Sequence, residues 1–263
     1  MSLRLRNPDV VARAIEMFIF EHVNRSQGAV IGLSGGIDSA LVLSLAVRAI
    51  GPERVIGLLM PDSTATSDAD MKDAQHWADK LGVTTHTIPI GSLLKEFDFT
   101  GLGHFSEVRS VAGNLKARIR MVLNYTLANA QHRVVLGTGN RSELLLGYFT
   151  KYGDGAADIL PIGALYKTQV YQLARHFQLP VNILDKPPSA NLWEGQTDKQ
   201  ELGASYEVID RILYELVERG RQLHQVVESV PATESLVQSL IHRMEANQHK
   251  LDMPPIADVE LTF

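Results

Sequence analysis

The chain has 263 residues, 45% of them hydrophobic and 21% charged, and its 25 basic and 30 acidic side chains leave a formal net charge of -5. This composition suits a folded chain with a substantial core and gives no general electrostatic footprint for nucleic acid. No run approaches the roughly 20 apolar residues of a membrane span, no signal-peptide core marks the start, and cysteine is absent, so disulfides, thiolate metal sites and cysteine nucleophiles are excluded and a cytoplasmic location is expected.

In chain order, Asn7-Pro8-Asp9 is a helix start, with a capping side chain, Pro at the first helical position and an acid in the first turn. Val11, Ile15, Phe18 and His22 mark one face of that helix, with His22 expected at the edge of the core. Residues 28–33 read as a strand and 37–50 as a helix; Val55 to Met60 is a second strand, Ser67-Asp68 opens a helix to about Leu81, and Val83 to Ile88 is a third strand. From Gly91 to Ser110 the periodicity fails, which predicts a mobile loop. A helix follows from about Val111 to Ala130, with Arg118 on the stripe of Leu115, Val122 and Tyr125. With Arg109, Lys116 and Arg120 nearby, this is either a solvated basic face or a set of cations awaiting partners.

Arg133 to Gly137 is a fourth strand, and Thr138-Gly139-Asn140-Arg141-Ser142-Glu143 a second strand-to-helix turn. The run from Gly147 to Asp158 is too rich in glycine for a regular element and too aromatic for an idle linker. Ile159 to Ile162 reads as a short last strand, Tyr166 to Phe177 as a helix with Lys167 at its start, and Ser205 to about Gly220 as another helix. A final helix is expected from Pro231 through Leu236, Leu240 and Met244. Strands alternating with helices predict an α/β fold, a doubly wound, Rossmann-like parallel sheet of about five strands with helices on both faces, in a single domain over residues 1–263.

The chemistry concentrates at Gly32-Leu33-Ser34-Gly35-Gly36-Ile37-Asp38-Ser39. The glycines let the backbone turn tightly with its N–H groups free, Ser34 and Ser39 add hydroxyls, and the following helix aims its positive end at the same place. A carboxylate in such a cradle repels a phosphate unless a divalent cation intervenes, so Asp38 reads as a magnesium ligand. Without a ligand the same string would be an ordinary capped βα turn. Glu143, at the second turn on the same sheet edge, is either a second magnesium ligand or a favourable first-turn acid. Lys167 is electrostatically misplaced at a helix start; it is either a tolerated surface lysine or one held by a bound anion.

The string from Ser34 to Ser39 resembles the PP-loop of the N-type ATP pyrophosphatases, which hold the pyrophosphate of ATP while an acceptor oxygen attacks the α-phosphate. The run Asn114 to Met121, the run Gly147 to Pro161, Lys186-Pro187-Pro188-Ser189-Ala190 with Gly195-Gln196-Thr197-Asp198, and the late His249-Lys250 resemble the NAD synthetases. A chain without cysteine lacks the nucleophile of the common glutaminases, which points to the ammonia-dependent members.

The resemblance implies that Gly32, Leu33, Ser34, Gly35, Gly36, Ile37, Asp38 and Ser39 bind ATP with Thr138, Lys167 and Ser189, and that Asp38 and Glu143 hold Mg2+. Arg118, Lys151, Asp158, His249 and Lys250 would contact deamido-NAD+, the second substrate, at the interface of a homodimer. Asp38 and Lys167 would be catalytic: the nicotinate carboxylate is adenylated, and free ammonia then displaces AMP. The loops near 91–110 and 186–204 would exclude water. The chain departs from the family pattern at Leu251 and in the turn 139–142, neither of which removes a proposed ligand.

Overall fold

The computed structural model describes residues 3–97, 109–193 and 195–259. Four parallel strands, β1 (Ala29–Leu33), β2 (Val55–Leu59), β3 (Thr84–Thr87) and β4 (Val134–Leu136), form one sheet in the order β3-β2-β1-β4. Such sheets are covered on both faces, which explains why β1 and β2 read as unbroken apolar runs. Successive side chains of β1 serve opposite faces. Ala29, Ile31 and Leu33 join the core made with α1 (Pro8–Val23), α2 (Ile37–Ile50) and α3 (Asp68–Lys80). Val30 and Leu58 face the other way, toward Ile119 and Ala128 of α5 (Arg109–Ala130).

The expected fifth strand is reduced to a single parallel bridge between Leu136 and Ile159. Gly137 N donates to Ile159 O at 2.9 Å, but β4 is only three residues long and Pro161, two residues on, has no N–H to continue a ladder.

The expected caps form: Asn7 accepts from Val10 N at 3.2 Å, and Ser67 accepts from Asp70 N at 3.1 Å. The buried stripe of α1 is Ala12, Ile19 and Val23, whereas His22 is exposed and bonds Phe18 O at 2.8 Å, so it is no core-edge residue. In the expected mobile loop, Gly91–Glu96 is a short helix, α4; residues 98–108 lie outside the described residues.

Beyond the sheet come α6 (Arg141–Leu146), α7 (Lys167–His176), α8 (Val181–Leu184) and α9 (Asp198–Leu202). The last helices, α10 (Tyr206–Leu213), α11 (Leu223–Ser229) and α12 (Glu234–Asn247), build a smaller core with Leu146. A π-helical turn, Tyr214–Glu218, extends α10. The final long helix is capped by Thr233, whose side chain accepts from Leu236 N, and so begins later than the expected Pro231. The carboxyl ends of β1 and β4 thus open toward the starts of α2, α6 and α7, where the site lies.

Candidate active site

Between β1 and α2 the chain turns at Gly35, whose φ of +74° suits glycine and whose α-carbon faces the Asp70 backbone with no room for a side chain. Ser34 and Ser39 pre-form the loop: their hydroxyls are 3.3 Å apart, Gly36 N donates to Ser34 Oγ at 3.3 Å, and Ser39 Oγ donates to Gly36 O at 3.1 Å. No side chain caps α2, so its first turn presents backbone donors and the positive end of the helix dipole toward the cleft.

Asp38, in the first turn of α2, faces Lys167, the first residue of α7, with Nζ 2.5 Å from Oδ2; Glu143 Oε1 stands 3.3 Å from the same Nζ. The lysine is buried, lies 5.4 Å over the Tyr206 ring, and is held here by protein carboxylates. Lys167 is thus no surface lysine, and the anions at this helix start are carboxylates of the fold itself. Burial opposes the ammonium, but Asp38 and Glu143 outweigh it and raise its pKa. Burial also pushes the Glu143 carboxyl up to about 8, with Lys167 pulling it down and Asp38 adding to the rise.

Glu143 takes the first-turn role that its sequence position left open and keeps one carboxyl oxygen toward the cleft. Its Oε2 accepts from Asn140 N at 3.2 Å while Asn140 Oδ1 accepts from Glu143 N at 3.1 Å, a capping box that leaves Oε1 facing the cleft. Asn140 is fully buried and its amide also donates to Asp38 Oδ1 at 3.0 Å, tying the two sheet-edge turns together.

When Glu143 is ionised, two carboxylates stand against one ammonium and the cluster is net negative. Oxygen donors of this kind fit a hard divalent cation; magnesium commonly takes one or two carboxylates and completes its shell with phosphate oxygens and water. Among the described residues no group of three or more His, Cys, Asp and Glu side chains could hold a metal alone, so a bound phosphate would be needed here.

The cluster opens into a cleft of about 460 Å3 lined by Gly32 to Ser39 apart from Gly35, together with Thr138, Glu143, Lys167 and Ser189. The residues expected to bind ATP are thus gathered in one place. Its other wall is α5, where the two readings left open for its cations divide: Arg109 and Arg118 are exposed, whereas Lys116 and Arg120 turn inward to partners. Lys116 is buried, 2.6 Å from Asp62 Oδ2, and donates to Thr64 Oγ1 and Leu192 O at 3.0 Å each; Arg120 Nε donates to Met60 O at 3.1 Å. The buried face of α5 is Gly113, Lys116, Ala117, Ile119 and Ala128, leaving Arg118 exposed and Val122 54% exposed.

The second expected set divides. Lys250 lines the cleft and donates to Gly147 O at 2.6 Å and Phe149 O at 3.0 Å. Arg118, Lys151, Asp158 and His249 are not among the lining residues. Arg118 donates to Lys151 O at 3.4 Å, and Lys151 Nζ reaches the carbonyls of His249 and Asp252. Asp158 accepts from Val135 N at 2.7 Å and from the Tyr125 hydroxyl at 3.2 Å, whose pKa burial and this carboxylate push up to about 12. Arg118, Lys151 and His249 are thus linked to one another, and Asp158 is held separately by Val135 and Tyr125.

Sequence reasoning missed the support behind Lys167. Ser142 Oγ donates to Asp210 Oδ1 at 2.5 Å and accepts from Lys167 N at 2.9 Å, and Asp210 Oδ2 accepts from Thr168 N at 2.8 Å. Asn140 was accessible from the Asn-x-x-Glu spacing of a capping box; no local pattern links Ser142 to Asp210.

The family model described as NAD synthase matches residues 11–254. The chain is 46% identical to the NH3-dependent NAD+ synthetase of Hyperthermus butylicus over 254 residues, spanning 96% of this chain and 91% of that protein. Among solved structures it resembles the NMN synthetase of Francisella tularensis, with a TM-score of 0.84 and 34% identity over 96% of this chain and 99% of that one. It also resembles the NH3-dependent NAD synthetase of Campylobacter jejuni, solved with a nitrate ion, with a TM-score of 0.80 and 36% identity over 96% and 100% of the two chains.

Proposed function

The chain belongs to the NAD synthase family, and on that premise we propose that its cleft carries out the ATP-dependent amidation of deamido-NAD+ to NAD+ with free ammonia, the last step of NAD+ biosynthesis. The observation that carries this reading is Lys167 held between Asp38 and Glu143 at the mouth of the glycine loop. The chain is a ligase that forms a carbon–nitrogen bond.

A nicotinate carboxylate is a poor acylating group, so one of its oxygens attacks the α-phosphorus of ATP and the bond to pyrophosphate breaks, giving an acyl adenylate. Ammonia then attacks the carbonyl carbon, AMP departs with the carboxylate oxygen, and the nitrogen loses one proton to become the amide. Negative charge develops on the α-phosphate and on the leaving pyrophosphate. The backbone donors at the start of α2, the hydroxyls of Ser34 and Ser39, and the Lys167 ammonium are placed to stabilise it. Asp38 and Glu143 would hold magnesium, which when bound supplies positive charge to the phosphates. Thr138 and Ser189, both lining the cleft, would contact the nucleotide.

Arg118, Lys151, Asp158, His249 and Lys250 would take the dinucleotide along the surface beside the cleft. A second copy packed on the outer face of α5 would cover Arg118 and Val122 and complete that site, which makes the working form a homodimer. The 263 residues would act as one synthetase unit in the cytoplasm, supplied with free ammonia.

Deamido-NAD+ labelled with 18O in its carboxylate tests the adenylate. One label should appear in AMP for each NAD+ formed; AMP that acquires its oxygen from water instead would contradict the mechanism. Because one structural neighbour is an NMN synthetase, the corresponding mononucleotide acid is the control substrate, and the dinucleotide should be preferred.

A further inference from the structure

The cations lining the cleft are Arg120, Lys167, Lys186, Arg243 and Lys250. Arg120 is held by Met60 O, Arg243 by Glu201 O, and Lys250 by the carbonyls of Gly147 and Phe149. Lys167 is neutralised by its two carboxylates. Lys186 alone among these five donates to the backbone of the glycine loop, with Nζ 3.5 Å from Gly35 O, and its carboxylate partner Asp70, 2.5 Å away, is not among the lining residues.

Asp70 lies in the first turn of α3, where the helix dipole favours a negative charge, and its backbone packs against Gly35. Lys186, with about a fifth of its side chain exposed (21%), heads the segment Lys186-Pro187-Pro188-Ser189, which carries Ser189 on the cleft wall.

Pyrophosphate leaving the loop carries several negative charges, and the ionisable groups set at the loop are the Asp38 and Glu143 carboxyls and the Lys167 ammonium. Lys186, at the Gly35 carbonyl, is a second cation at this loop. We propose that Lys186 is a ligand of the departing pyrophosphate: Asp70 holds it when the loop carries no phosphate, and the phosphate displaces Asp70 when it binds. Asp70 is thus a competitor for Lys186. This inference rests on the phosphate-loop reading of the proposed function.

Competition gives the two partners opposite effects. Calorimetric titration of magnesium pyrophosphate into the full chain should show binding to the wild type. Affinity should fall about tenfold in Lys186→Met, the loss of one charge-assisted contact, and stay within about threefold of wild type in Lys186→Arg. Asp70→Asn should bind several-fold more tightly, because its lysine is released in advance, and this sign stands even if Lys186→Met does not fold. Unchanged affinity in Lys186→Met, or weaker binding in Asp70→Asn as a merely structural tie would give, overturns the proposal. No binding to the wild type overturns the phosphate-loop reading and this inference with it.

Discussion

The ammonium of Lys167 lies 2.5 Å from Oδ2 of Asp38, although the two residues open different helices and stand 129 positions apart. Their pairing brings the starts of α2 and α7 to one point at the cleft. Lys167→Met removes the cation nearest the transferring group, and turnover should fall about 100- to 1,000-fold, as in comparable anion sites. Glu143, already shifted toward protonation, can take up a proton in place of the lost charge, so the variant should fold. Pyrophosphate release and thermal melting measured on the same sample separate the two effects.

Glu143→Gln keeps the capping box, since an amide oxygen can still accept from Asn140 N, but replaces the carboxyl that faces the cleft with a group that cannot ionise. Melting should change little while turnover falls on the order of 100-fold and the magnesium requirement rises. Titration of activity with magnesium checks this; a wild-type profile would remove Glu143 from the metal site.

Ser142 bonds both Asp210 and the backbone of Lys167. Burial pushes the Asp210 carboxyl up, and the hydrogen bonds from Ser142 and Thr168 oppose that rise. Ser142→Ala leaves a buried acceptor short of a donor, which should cost about 1–3 kcal/mol. It should also lower kcat several-fold with little change in the KM for ATP, because Lys167 loses its backbone anchor. Urea unfolding and steady-state kinetics supply the two numbers.

Asp62 and Lys116 form the buried pair under the cleft wall. Burial alone would raise the Asp62 pKa, but hydrogen bonds from Lys116 and Thr64 outweigh it and hold the carboxyl below its ordinary value. The folded state therefore binds this proton less readily than the unfolded state. The stabilisation is complete above the unfolded value of about 3.9 and is lost as pH falls through the lower folded value. Unfolding measured across the acid range should show a shallower loss below about pH 4 in Asp62→Asn. Lys116→Met strands the carboxylate and should cost about 3–5 kcal/mol at neutral pH.

The strands and most helix starts were legible because apolar runs and caps are local signals; Val55–Leu59 and the Ser67 cap are examples. The strand at Ile159 was misread because an apolar run does not reveal that its partner β4 is short, although Pro161 was visible. On α5 the apolar stripe was the wrong guide: the inner face meets a polar cleft, so Lys116 and Arg120 turn inward while Val122 is exposed. Gly32 to Ser39, expected to bind nucleotide, are one contiguous stretch, and all but Gly35 line the cleft. Ser142 with Asp210, and Asp70 with Lys186, depend on distant segments meeting, which no spacing in the chain announces.

The most direct test is NAD+ formation by the purified chain with ATP, magnesium and deamido-NAD+, supplied in parallel with ammonium or with glutamine. The account predicts NAD+, AMP and pyrophosphate in equal amounts with ammonium and no NAD+ with glutamine alone. Pyrophosphate release without NAD+ from either nitrogen source would retain the phosphate-loop chemistry and contradict the substrate.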